Sequence, residues 1–246
     1  MIRITEHEGI VTLTLNRAGK RNALSAKMID AIHSGLDEIE KKESMRALIL
    51  AGEGRSFCAG MDLKAVINDP KAMREMLRGL ARAFGRIRRL AVPTIARVQG
   101  AAIGGGCGIM VVCDFAFTHP EAKVGYPEVD LGICPAVVTP WLIKKIGAGK
   151  ARAMLLSGGT ISGKQGFEAG LATHLCSIED LPSAVDAFAL NLAAGGKDAL
   201  ATTKRWLNEL DGSLDDDILQ KAADLSADII AGDEAQSRLR PLFSKK

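Results

Sequence analysis

Residues 98–114 read Val98-Gln99-Gly100-Ala101-Ala102-Ile103-Gly104-Gly105-Gly106-Cys107-Gly108-Ile109-Met110-Val111-Val112-Cys113-Asp114. The run Thr94–Val98 before it has the apolar, β-branched character of a strand. Gly100 to Gly108 is a glycine-rich turn that leads into the apolar stretch Ile109–Cys113. Three glycines in a row, Gly104–Gly106, carry an entropic cost. They are tolerated where backbone must approach something closely or where φ is unusual. At a helix N-terminus such a turn exposes free N–H donors on the positive end of the dipole. In isolation the same pattern fits tight helix–sheet packing equally well.

Working outward, residues 2–6 and 10–15 alternate around Glu8-Gly9 and predict a hairpin. Ser25 precedes a helical stretch to about Ser44, with Ile29, Ile32, Leu36 and Ile39 at helical spacing. Ala47–Ala51 is a short apolar run, a buried strand candidate. A long helix is predicted over roughly Pro70–Leu90 and is broken by Pro93. Phe115–Thr118 and Ala122–Gly125 predict two further strands. From Pro135 onward helices follow one another at about 136–146, 148–156, 163–169, 180–194, 197–209 and 214–231. Only Ala172–Cys176 interrupts them as a strand candidate. Strands alternating with helices predict an α/β layer structure, and the helical last quarter predicts a docked or exchanged appendage.

Composition sets outer limits. The 246 residues are 47% apolar and 25% charged, the profile of a soluble globular chain rather than a disordered one. A net charge of +3 is too mild to argue for nucleic acid. No run of 18 residues is free of charge, so no spanning helix is predicted. The N-terminus enters strand-like sequence directly, without the look of a leader. The five cysteines are odd in number and form no CxxC pair, so a reduced, cytoplasmic chain is the expectation. The four histidines are scattered, which gives a metal site no support.

Two other stretches carry chemistry. In Arg55-Ser56-Phe57-Cys58-Ala59-Gly60-Met61-Asp62-Leu63, small residues let a ligand approach the backbone. The alternative is a plain strand-to-helix connection capped by Asp62. Two glycine turns that each offer an N–H suggest an oxyanion hole, in which each well-aimed donor is worth about 2.7–4 kcal/mol. In Tyr126-Pro127-Glu128-Val129-Asp130, followed by Leu131-Gly132-Ile133-Cys134-Pro135, a carboxylate sits in an apolar, proline-bounded segment. Desolvation there raises its proton affinity, which suits a general base near neutral pH. A solvated loop glutamate is the alternative. In an extended segment Asp130 would share the face of Glu128 and could act as a second acid.

Together, Asn16-Arg17 with Arg21-Asn22-Ala23-Leu24, then Phe57–Leu63, then Val98–Asp114, then Pro127-Glu128 with Leu131-Gly132 resemble the crotonase family, the enoyl-CoA hydratase/isomerase superfamily. The motifs occur in family order and spacing, and Leu156-Ser157-Gly158 and Ala169-Gly170-Leu171 fit as well. The resemblance implies a ClpP/crotonase-like α/β spiral of β-β-α units over about residues 1–190. It implies a helical trimerisation region over 191–246, in a homotrimer or dimer of trimers. It implies an acyl-CoA thioester as ligand, coenzyme A being part of the substrate, with no separate cofactor. The thioester oxygen would lie between the amides of Met61 and Gly105. The coenzyme A portion would run along Arg21 and Ala23 and along Ala59, Gly60, Asp62 and Leu63, with Gly104 nearby. Phe243 and Lys246 would correspond to a C-terminal aromatic and lysine supplied by a neighbouring chain.

One departure from the family pattern decides between reactions. Hydratases that this chain resembles carry a glutamate two residues after the glycine triplet and a second in the Pro-Glu segment. Here the first position is Gly108 and the second is Glu128. Water addition calls for a pair of carboxylates, whereas moving a double bond from a 3-enoyl to a 2-enoyl thioester needs one base. General acid–base help is worth about 10²–10⁴-fold. Isomerase is therefore the leading expectation, with hydratase and a non-catalytic acyl-CoA-binding role as alternatives. Dienoyl isomerase and dehalogenase patterns want acids where Gly108 and Ala136 stand. Gly158–Lys164 has the spacing of a phosphate-binding loop but ends in Gln165 rather than Ser or Thr. Arg74, Arg78, Arg82 and Arg86 form a basic stripe. It could meet coenzyme A phosphates or RNA, or simply be a solvated or subunit-contacting face.

Overall fold

The structure, a computed structural model, describes residues 1–244. Strands β1 (Ile2–His7) and β2 (Ile10–Leu15) form the predicted antiparallel hairpin. Helix α1 (Ala26–Ile39) follows, with the Ser25 side chain accepting from the Met28 amide as its N-cap. Then come β3 (Ala47–Gly52), β4 (Ser56–Cys58) and α2 (Pro70–Arg89). The next unit is β5 (Thr94–Val98), β6 (Ala101–Ile103) and α3 (Gly105–Val112). A third is β7 (Phe115–Thr118), β8 (Lys123–Gly125) and α4 (Thr139–Ile146). The remainder is α5 (Ala148–Ser157), β9 (Thr160–Ser162), α6 (Gly163–Ala169), β10 (His174–Leu175), α7 (Leu181–Ala193), α8 (Lys197–Leu210), α9 (Asp216–Ala231) and α10 (Asp233–Ser244).

These strands build two sheets. The larger runs β1-β2-β3-β5-β7-β10 and the smaller β4-β6-β8-β9. The larger sheet is parallel beyond the hairpin. Each strand pair β3-β4, β5-β6 and β7-β8 leaves the large sheet, enters the small one and is followed by a helix. That is the expected β-β-α spiral. The corner at Gly100 explains the glycine there, since a Cβ would lie 2.0 Å from the Arg55 carbonyl oxygen of the preceding turn.

Strand alternation divides the core. Leu13, Leu48, Leu50, Ala96 and Val98 face the main core between the sheets and α1–α3. Ile10, Ile49, Ile95 and Phe117 face the other way, under Leu181, Val185 and Ala189 of α7. Both faces of the large sheet are thus covered, which is why Ala47–Ala51 reads as an uninterrupted apolar run.

The short strands β4, β6 and β9 and the last helix, α10, were not predicted. The three strands have three residues each, too few for periodicity to show. The helices after α7 pack onto the rest of the chain. Buried Lys204 of α8 donates to Asp114 Oδ2 (2.7 Å) and to the Val92 carbonyl (2.8 Å). On α9, Asp224 accepts from Arg74 and Arg78, and Asp228 from Arg74. Arg86 pairs with Asp37 of α1 and with Glu40, the residue that caps its C-terminal end. The arginine stripe therefore serves to fasten α2 to its neighbouring helices, with Arg82 left exposed. The Gly158–Lys164 stretch is no phosphate loop. Its glycines turn into β9, and Ser162 with Gln165 forms a capping box at the start of α6.

Candidate active site

Three backbone segments meet at one end of the small sheet. The first is the connection after β4. There the Ala59 amide donates to the Arg21 carbonyl, Leu24 to Gly60 and Asp62 to Leu24. Residues 21–24 and 59–62 therefore run side by side, bridged at Leu24 and Met61. In this ladder the Ala59 and Asp62 amides are bonded, while the Met61 amide has no backbone acceptor among the described residues.

The second segment is the glycine triplet. Gly104 takes φ +53° as the N-cap of α3, a conformation that disfavours any residue with a Cβ. The first turn of α3 leaves the Gly105 amide without a partner inside the helix. The two turns touch, because a Cβ on Gly105 would lie 3.6 Å from Met61 Cγ. Helix α3 begins inside the glycines, four residues earlier than its apolar run begins.

The third segment carries Glu128. Pro127 and Glu128 end the β8 connection, and a one-turn 3-10 helix, Val129–Leu131, follows. The Glu128 carboxyl lies against Gly104, where a Cβ would be 2.7 Å from Glu128 Oε1. Oε2 is buried without a hydrogen-bond partner. Burial pushes this carboxyl from 4.5 up to about 7, with a backbone hydrogen bond pulling the other way. A solvated loop glutamate is thereby excluded.

Met61, Gly105 and Glu128 share a cavity of about 120 Å³ with Ala59, Gly60, Leu63 and Gly104. The other expected ligand-side residues are placed differently. Arg21 is exposed on the rim and Ala23 half-buried beside it. Asp62 does not cap the following turn; it accepts from Arg17 Nη1 at 2.7 Å. Phe243 packs against its own chain's core, away from the cavity. Lys246 lies outside the described residues.

Two findings sharpen the reading of the acids. Gly108 is not an open position. A Cβ there would lie 2.6 Å from Phe84 Cζ and 2.8 Å from Val138 Cγ1, and Phe84 is fully buried. Asp130 does not share a face with Glu128, because the segment is helical rather than extended. It is exposed, and its Oδ2 accepts from the Gly159 amide at 2.9 Å.

The cavity's apolar walls include residues that the sequence did not single out. Leu77 and Leu80 come from α2, while Ser226 and Ile230 come from α9. The helical spacing of Met73, Leu77, Leu80 and Phe84 was visible, but nothing in it said that Phe84 faces Gly108. No local signal ties α9 to Glu128.

A β-β-α spiral that presents a desolvated carboxyl beside two glycine turns points to one class of protein. The chain matches the enoyl-CoA hydratase/isomerase family over residues 5–238. It belongs to that family, the crotonases, and is one of its enzymes. YngF of Bacillus subtilis, provisionally named an enoyl-CoA hydratase/isomerase, is 33% identical over 207 residues, 83% of this chain and 80% of YngF. A Thermus thermophilus protein provisionally named an enoyl-CoA hydratase is 29% identical over 96% of this chain and 95% of its own length. The crystal structure of an enoyl-CoA hydratase from Mycobacterium avium superimposes with a TM-score of 0.88 at 26% identity, covering 100% of this chain and 96% of that one. No helix among the described residues is long and apolar enough to cross a membrane.

Proposed function

We propose that this enzyme moves the double bond of a 3-enoyl-CoA to the 2-position, with Glu128 as the only proton carrier. The carboxylate of Glu128 takes a proton from C2 of the thioester. The electron pair spreads over C2–C4 and the thioester oxygen, and the Met61 and Gly105 amides hold the oxygen. Glu128 then returns the same proton to C4, leaving the double bond between C2 and C3. Each amide donor contributes about 2.7–4 kcal/mol to such a charge. Arg21, Ala23, Ala59, Gly60, Asp62 and Leu63 line the approach for coenzyme A, which enters as part of the substrate. We place the protein in the cytoplasm, as a homotrimer or dimer of trimers, with Phe243 and Lys246 serving a neighbouring site.

The observation that carries this reading is the pairing of one desolvated carboxyl with a filled Gly108 position. A base titrating at about 7 is poised to take and give a proton at neutral pH. Phe84 and Val138 crowd the place that a Cβ at position 108 would take, and no acid stands there.

The names of the relatives favour a second reading, hydration of a trans-2-enoyl-CoA. A paired assay separates the two. Purified protein is given matched 3-enoyl-CoA and trans-2-enoyl-CoA, and both bond migration and 3-hydroxyacyl-CoA are followed. Migration with little hydration, lost in Glu128→Gln, supports the one-base isomerase. Brisk hydration overturns it in favour of a hydratase that works with one carboxylate. Silence in both channels removes both readings and leaves a binding role.

A further inference from the structure

The space beside Glu128 is small, largely apolar and bounded on one side by a wall that is pinned at every residue. Its volume is about 120 Å³. An enclosed apolar cavity of about 150 Å³ accommodates a six-carbon ring; this space is partly open, so the part in front of the wall takes an acyl group of the same order, roughly five carbons. Leu77 and Leu80 close one side, and Ile230 closes another. The polar groups do not offer recognition for a substituted tail. Ser226 Oγ already donates to the Cys134 carbonyl at 2.8 Å, and the Cys134 thiol is held above its usual range by burial.

Residues Ile133, Cys134 and Pro135 form the wall between this cavity and an open apolar groove of about 660 Å³ on the outside, bordered by Ile143, Leu156, Leu225 and Ile229. A long acyl chain could reach that groove only by displacing the wall. The wall is tied down along its length. The Ile133 amide donates to the Glu128 carbonyl at 2.8 Å. The Cys134 carbonyl holds Ser226, and the Pro135 carbonyl accepts from Thr139 Oγ1 at 2.8 Å. Helix α9, which supplies Ser226 and Ile230, is itself clamped to α2 through Asp224 and Asp228.

We infer that the site selects thioesters of short, unsubstituted acyl groups of about four to six carbons, and that the Ile133–Pro135 wall, held by Ser226 of the same chain, sets the length limit. This rests on the proposal that the cavity receives the acyl part of an acyl-CoA. Burying each further methylene inside the limit should tighten binding about fourfold, and a methylene beyond it should not.

The test uses saturated acyl-CoAs of two to sixteen carbons, titrated calorimetrically into the full-length protein, so that no turnover is needed. The expected result is affinity that rises to about six carbons and falls at least tenfold by ten. Ile230→Ala and Ser226→Ala should each move the limit to longer chains. Leu77→Phe, which adds bulk to the same cavity, should shorten it, so the inference does not depend on one variant folding. Affinity that climbs steadily to sixteen carbons, or that ignores chain length, overturns the limit while leaving acyl-CoA binding standing. Limits that stay fixed in all three variants overturn the assignment to this wall. Failure to bind any acyl-CoA overturns both this inference and the proposed function.

Discussion

Glu128 and Gly104 show how one residue's chemistry depends on another's absent side chain. The carboxyl reaches its buried position because Gly104 has no Cβ to occupy it. A carboxyl raised from 4.5 to about 7 holds its proton more tightly folded than unfolded. The ionised form therefore costs stability, fully so above pH 7 and progressively less as pH falls toward 4.5. At about 1.4 kcal/mol per pH unit the cost is roughly 3 kcal/mol. Glu128→Gln should accordingly abolish turnover yet raise the melting temperature at pH 8, and the gain should shrink as the pH approaches 4.5. Thermal melts across that range check it. For the native enzyme, kcat/KM should climb about tenfold per pH unit below 7 and level off above it. Gly108 makes the opposite case. Its Cβ position is already filled by Phe84 and Val138, so Gly108→Ala should destabilise by about 1–3 kcal/mol through overpacking. Gly108→Glu should not create a hydratase, which an assay for 3-hydroxyacyl-CoA would show.

At the scale of elements, the loop before α1 does more than its sequence suggests. Asn22 entered the sequence reading only as a member of the Arg21–Leu24 motif, yet its side chain is fully buried. Its Oδ1 accepts from the Arg17 amide, and its Nδ2 donates to the carbonyls of Glu53, Ser56 and Phe57. It thereby joins the β2–α1 loop to the β3–β4 corner, and through the residue 21–24 ladder it fixes where Met61 sits. Asn22 takes φ +55°, which asparagine tolerates better than most residues. Asn22→Ala should cost about 2–3 kcal/mol from orphaned buried groups, and a melt would register roughly 2–4 °C for each kcal/mol. Asn22→Gly keeps the backbone conformation but loses the same bonds. If it is as damaging, the bonds rather than the φ angle are responsible. Helix α10 belongs to this scale too. Ala235 and Arg238 pack on Gly132, which braces the turn that carries Glu128.

At the scale of the molecule, the last helices face two ways. Their inner sides complete the cavity beside Glu128 and hold α2, while α8 and the start of α9 leave large apolar side chains in solvent. Trp206, Leu207, Leu210, Leu214 and Ile218 are each 46–65% exposed. Exposed apolar side chains of this size suit a contact with another protein surface, and the proposed trimer would cover them. Light scattering on the purified protein should give a trimer or a multiple of it. Trp206→Glu combined with Leu210→Lys should shift that mass toward the monomer. An unchanged mass would move the subunit contact elsewhere.

The amino-acid sequence by itself determined an α/β order of elements, and the resemblance of its motifs to the crotonase family implied the spiral and the general position of the site. The hairpin, the long strands and helices α1, α2 and α7–α9 were legible because each repeats its apolar residues at its own period. The glycine turns and Glu128 were legible because backbone approach and a desolvated carboxylate need those residue types. Tertiary structure alone decided what stands opposite Glu128. The closure of Gly108 by Phe84, the diversion of Asp130 to Gly159 and the wall pinned by Ser226 each join residues 24 to 92 positions apart. No local period or propensity encodes such pairings. They follow from how α2 and α9 settle against each other and against the turns, and that packing places the loop glutamate Glu128 in a largely apolar cavity, desolvated as the proposed base would need to be.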